Sequence, residues 1–223
     1  MINSKFAAVA ALTACALAFG SNAQADTLQV QEFGTFATVG TNPGVDQVGV
    51  FTLTNSGNAN VLLNGSFAAV CIEPTQVISQ NARIGGDSTY AASFTAAPSA
   101  SVQKLFDLYY NSAKTNDSDA APFALALQEL LLETSGSYSL ATGAYQRTGF
   151  SSADMQAVAG AETLLSGLAS AADATTHLQL VTFASGSSQD FIGAVTPVPE
   201  PETYALLLAG LGVIGFSVRR RRS

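Results

Sequence analysis

The fifteen-residue apolar run from Tyr204 to Val218, closed by Arg219, Arg220, Arg221 and Arg222, sets what the rest of this chain can be. As a helix it rises about 22 Å at ~1.5 Å per residue, short of a ~30 Å hydrocarbon core. That length suits a single transmembrane helix of a temporary or strained kind. The basic tail, residues 219–223, is expected to stay cytoplasmic, which places the rest of the chain across the membrane. Residues 195–203 read as a linker. Within it Pro199, Glu200 and Pro201 stiffen the approach, because proline cannot continue a helix. Gly210, Gly212 and Gly215 spell a dinucleotide-binding fingerprint, but they follow no strand and open no βαβ unit, so that reading is set aside.

The other end reads as a signal peptide over residues 1–25. Lys5 supplies the positive start, Phe6 to Phe19 is nearly all apolar, and Ala23-Gln24-Ala25 gives the small-x-small pattern before a cut that leaves Asp26 first. Passage through the Sec machinery follows. A rival is the lipoprotein-like box Leu12-Thr13-Ala14-Cys15, which would lipidate Cys15. It leaves an apolar region of only about six residues, below the usual 7–15, and ranks second.

From Val198 to Ser223 the order of proline-acid-proline, apolar run and arginine block closely resembles the PEP-CTERM sorting signal. Tails of that family occur on exported proteins of Gram-negative bacteria that make extracellular polysaccharide. The resemblance implies a membrane protease, exosortase, as partner. It would cut near Pro199-Glu200-Pro201, so that contact with the inner membrane is transient and the product ends at the cell surface or outside. Extracellular polysaccharide is the implied surrounding, in a biofilm or matrix. The alternative is a plain membrane-anchored periplasmic protein.

Between the ends, residues 26–194 form the working part, an exported α+β domain. It carries four basic and fourteen acidic residues, a formal charge of −10. No nucleic acid is expected as a partner, since phosphate needs a basic face. One histidine and two cysteines in the whole chain leave little for a metal site, and neither metal nor cofactor is expected.

Residues 27–74 alternate in the manner of strands, with Thr27 to Gln31 and Val48 to Thr54 the clearest runs and Asn64-Gly65 as a hairpin turn between Val61–Leu63 and Phe67–Ile72. Residues 99–170 show helical spacing. Val102, Leu105, Phe106 and Tyr109 lie on one face; a second helix is expected from Ala121 to Thr134 with Pro122 in its first turn and Gly136 ending it; a third runs from Ser152 to Ala169 behind a Ser151/Asp154 capping box. Residues 176–195 return to strands. The order predicts a β-sandwich or small barrel with a helical insertion.

Cys71 is the residue with most chemical meaning. Once Cys15 leaves with the signal peptide, Cys71 is the one cysteine remaining in an oxidising compartment. It is either a reactive thiol or a small buried hydrophobe within Ala68–Ile72. Phe67 to Glu73 resembles the cysteine strand of bacterial thioester domains, and Phe123 to Leu130 resembles their partner helix. That family holds a cysteine–glutamine thioester for covalent adhesion. Here its glutamine position falls on Ala124 and its tryptophan position on Gln128. The resemblance therefore implies a thioester-like fold that has lost the usual bond, with Gln128, about one helical turn on, as a shifted partner for Cys71.

No catalytic residues are expected. His177 reads as a surface residue; a triad needs an oriented histidine with a third group, and no nucleophile-elbow motif is present. Glu129 and Glu133, at i and i+4, read as a solvated helix face, and Asp117 and Asp119 as loop residues without EF-hand spacing.

Overall fold

The computed structural model describes residues 25–42, 46–55, 65–73, 88–95, 97–133, 136–175, 177–195 and 211. The signal segment through Ala23, the motif Pro199–Glu200–Pro201, the block Arg219–Arg222 and, apart from Leu211, the apolar run 204–218 lie outside the described residues. Among the described residues no helix is long and apolar enough to cross a membrane.

The described residues form seven strands: β1 (Ala25–Asn42), β2 (Asp46–Asn55), β3 (Gly65–Cys71), β4 (Ser88–Thr95), β5 (Gln146–Gly149), β6 (Gln179–Ala184) and β7 (Phe191–Val195). Three helices, α1 (Ala100–Ala113), α2 (Asp117–Leu132) and α3 (Ser152–Ser170), fall between β4 and β6. The class is α+β, and the helical insertion stands where the sequence puts it.

All pairings are antiparallel, and the sheet runs β2-β3-β7-β6-β4-β1-β5 with β1 also paired to β2. The sheet therefore curls into a half-barrel rather than splitting into a sandwich. The long β1 makes this geometry. Phe33 faces Val50 and Ala37 faces Val48, so four steps along β1 match two along β2. Such a bulge bends a strand and raises its twist. The start of β1, Ala25–Leu28, then pairs with β4, and its end, Val39–Asn42, pairs with β5.

Period-two alternation divides the sheet residues between two cores. Phe51, Leu53, Ala69, Cys71, Tyr90, Val181, Phe183 and Phe191 pack inside the curl. Val48, Val50, Val70, Leu180 and Ile192 face the helices instead. Both faces are buried, so β3, β6 and β7 read as near-continuous apolar runs. Helix α2 is central to the second core, with Phe123 through Leu127 all at 0% exposure. Burying a leucine or phenylalanine of this kind contributes roughly 1.5–3 kcal/mol.

Some local expectations are corrected. Helix α2 starts at Asp117, not Ala121, so Pro122 lies inside it rather than in its first turn. A proline there lacks the N–H that would return to the Ser118 carbonyl. The helix stops at Leu132, ahead of Gly136, whose φ is 75°. Gly65 is not a turn residue: it opens β3 opposite Asn55. The expected strand Val61–Leu63 and Asn64 lie outside the described residues. Adjacent Ala91 and Ala92 break the alternation in β4, and β5 is only four residues long, so neither shows in the pattern, yet β4 pairs with both β1 and β6.

Candidate functional site

Strand β3 and helix α2 bring Cys71 and Gln128 together, but through the backbone of one and the side chain of the other. The Gln128 amide Nε2 donates to the Cys71 carbonyl at 3.3 Å. Its Oε1 accepts a short hydrogen bond from the Tyr145 hydroxyl. Both ends of the carboxamide are thus engaged, and the side chain is 1% exposed. The Cys71 side chain belongs to the cluster inside the curl, while α2 packs on the other face of the sheet. The expectation of a shifted thioester fails for this reason: alternation along β3 turns the sulfur away from the helix that carries Gln128. Ala124, at the position of the thioester glutamine, is fully buried. Cys71 behaves as a buried thiol, 5% exposed, near Tyr90, whose hydroxyl burial pushes upward in pKa and which donates to Ser188 Oγ at 3.0 Å.

Glu129 and Glu133 do not form a solvated face. They are 0% and 8% exposed. Glu129 Oε1 accepts from the Ser139 N–H at 2.8 Å, Glu133 Oε2 from the Ala144 N–H at 2.6 Å, and Glu162 Oε1 from the Leu140 N–H at 2.6 Å. Three carboxylates, from α2, from its C-cap residue Glu133 and from α3, therefore hold one connecting segment, 139–144, by its backbone. Glu129 Oε2 is buried without a hydrogen-bond partner. Burial pushes the Glu129 pKa up to about 7 against the opposing Ser139 hydrogen bond, and the charges of Glu133 and Glu162 add to the rise. Gly143, at φ 106°, is required here, since a Cβ would lie 1.9 Å from Glu133 Oε2. These acids serve the fold. No group of three or more His, Cys, Asp or Glu among the described residues could hold a metal ion.

A cleft of about 540 Å³ opens between the end of α1, the start of α2, the first half of α3 and the bulged part of β1. Its volume lies within the ~300–1,000 Å³ of small-molecule sites. Phe36, Pro122 and Leu164 supply apolar walls, with buried Phe123 behind them, and Tyr109, Ser112, Ser118, Asp119, Gln156 and Thr163 supply polar groups. Asp117 and Asp119, expected in a loop, stand in the first turn of α2, where negative charge suits the helix dipole. Asp119 accepts from Ser112 Oγ at 2.5 Å, Asn116 Nδ2 at 3.2 Å and Ser118 Oγ at 3.4 Å. The Ser112 bond, then the Asn116 bond, hold its carboxyl below the usual carboxylate range against a smaller effect of burial. Sequence reasoning missed this cleft because its residues come from four elements with no common spacing.

His177 is at the surface as expected, 66% exposed, and its Nδ1 lies 2.6 Å from Asp107 Oδ2. Asp107 also accepts from the Leu178 N–H at 2.7 Å, so it anchors the entry to β6.

Compared with known families, residues 197–222 match the PEP-CTERM protein-sorting motif. The match includes Pro199, Glu200, Pro201 and all four terminal arginines. No curated protein and no solved structure matches the chain. The motif implies an exported protein targeted to exosortase, and the thioester resemblance receives no support.

Proposed function

We propose that this chain is a non-enzymatic protein of the cell surface or extracellular matrix, associated with exopolysaccharide and biofilm and delivered there by exosortase. The carrying observation is where the sorting motif falls. It spans residues 197–222, and the last strand, β7, ends at Val195. A cut near Pro199 removes the tail without touching a ladder, for β7 is held between β3 and β6. At the other end β1 begins at Ala25, beside the expected signal cleavage. The acidic domain, at −10 for residues 26–194, suits a freely soluble product. The non-enzymatic reading is supported by the engagement of Glu129, Glu133 and Glu162 with backbone N–H groups.

The test is intact-mass analysis of the protein from a Gram-negative host that has exosortase, fractionated into membrane, medium and polysaccharide matrix. A species starting near Asp26 and ending near Pro199, in the matrix or medium, is expected. A chain that keeps its arginine tail and stays in the membrane overturns the proposal in favour of a plain anchored protein.

A further inference from the structure

The cleft at the α1–α2–α3 junction has a chemistry that narrows its ligand. Its walls are aromatic and aliphatic: Phe36, Pro122 and Leu164 present their partly exposed surfaces to it. Such surfaces suit the C–H face of a saturated ring. Two polar groups reach it unspent. Among the described residues the Gln156 carboxamide and the Tyr109 hydroxyl have no hydrogen-bond partner. An amide both donates and accepts, as does a phenol, so together they match the mixed demands of neighbouring hydroxyls. The charge at the site is Asp119, whose oxygens are already occupied by Ser112, Asn116 and Ser118. It repels an anion and offers little coordination to a cation. A purely apolar ligand would leave the Gln156 and Tyr109 groups unpaired as they desolvate, which is unfavourable.

Helix packing fixes the shape. Gly160 of α3 touches α2 at Pro122, where a Cβ would come within 3.0 Å of the proline ring. Phe36 is braced by an edge-to-face contact with Phe51, centroids 4.8 Å apart. The lining residues therefore sit on helices and a packed strand, which suits a pre-formed site.

We propose that this cleft binds a neutral sugar ring, with Gln156 and Tyr109 reading its hydroxyls and the Phe36–Pro122–Leu164 wall taking its apolar face. The matrix reading above supplies the source of the sugar; the cleft chemistry supplies its class.

The test is saturation-transfer NMR on the full chain in phospholipid nanodiscs. The probes are methyl glucoside, methyl galactoside, N-acetylglucosamine, cellobiose, glucuronate and toluene. Saturable binding of at least one neutral sugar is expected. Gln156→Ala should weaken it about tenfold, as for the loss of one or two hydrogen bonds. Ala153→Trp, at an exposed rim position that leaves the core intact, should abolish it. Glucuronate and toluene should bind more weakly than that sugar. No saturable binding of any neutral sugar overturns the proposal. So does binding that survives both variants, or glucuronate or toluene binding as tightly as the best neutral sugar. Tail processing is read separately by mass, so a failed cleft and a failed sorting proposal are told apart. If cellobiose alone binds, the site reads a glycan chain; if the methyl glycosides bind equally, it reads a single ring, and both outcomes uphold the proposal.

Discussion

Gln128 binds the main chain of Cys71 and not its sulfur: the amide Nε2 lies 3.3 Å from the Cys71 carbonyl while the side chain of Cys71 packs on the opposite face of the sheet. Native protein should accordingly show no loss of ammonia by intact mass. Cys71 should alkylate slowly in the folded state and promptly in denaturant. Rapid native alkylation would contradict its placement inside the curl.

The same contact predicts a stability effect. Gln128→Leu removes the hydrogen bonds that Gln128 makes to the Cys71 carbonyl and the Tyr145 hydroxyl in a buried setting. A loss of about 1–3 kcal/mol is expected in urea unfolding, for two buried hydrogen bonds removed at ~0.5–1.5 kcal/mol each. A neutral result would mean that water reaches this site.

Glu129 gives a pH prediction with a definite sign. Its folded pKa is raised to about 7 from an ordinary 4.5. Between those values the folded state holds a proton that the unfolded state has released, so stability falls as pH rises through that window and then levels. The drop should be on the order of 2–3 kcal/mol. Glu129→Gln keeps an acceptor for the Ser139 N–H and removes the ionisation. It should therefore be more stable than the natural chain at pH 8 and show a flatter profile from about 4.5 to 7. Thermal melts of both proteins across that range check this, and parallel profiles would sink it.

The start of α3 is fixed to the sheet. Ser151 Oγ accepts from the Asp154 N–H at 3.1 Å, Asp154 Oδ2 accepts from the Ser151 N–H at 2.9 Å, and Asp154 Oδ1 accepts from the Thr38 N–H of β1 at 2.8 Å. Ser151→Ala should lose about 1 kcal/mol, the usual worth of an N-cap. The Ser151 hydroxyl, then Thr38, hold the Asp154 carboxyl below its ordinary pKa. Its contribution is present above the ordinary carboxylate range and lost as pH falls through the lowered value. Acid titration of the Thr38 amide signal in NMR should report that loss.

Gly193 tests the packing of the curl. A Cβ there would lie 2.6 Å from the Ala68 carbonyl, which is backbone and cannot swing away. Gly193→Ala should destabilise by about 1–3 kcal/mol, as overpacking does. Gly186→Ala, with nothing within 4 Å of its Cβ, is the matched control and should be near neutral. Equal melting temperatures for the two variants would contradict the close approach of β7 and β3.

Features that reside in contiguous residues were legible in the sequence: the apolar run with its arginine block, the three helices, the Ser151/Asp154 capping box, and the alternation in β2 and β3. Each depends on near neighbours along the chain, so spacing and residue type are enough. What the tertiary structure decided depends on registers and faces. A bulge between Phe33 and Ala37 bends β1 and makes a half-barrel where alternation alone allowed a sandwich. Packing of α3 and the 139–144 segment over α2 turned Glu129 and Glu133 from an expected surface pair into buried backbone anchors. Pleating of β3 sent the Cys71 sulfur away from Gln128, although the two lie side by side in the fold. Solvent exposure and the facing of side chains are set by what packs across the chain, and a linear pattern carries that information only where the partner surface is itself fixed.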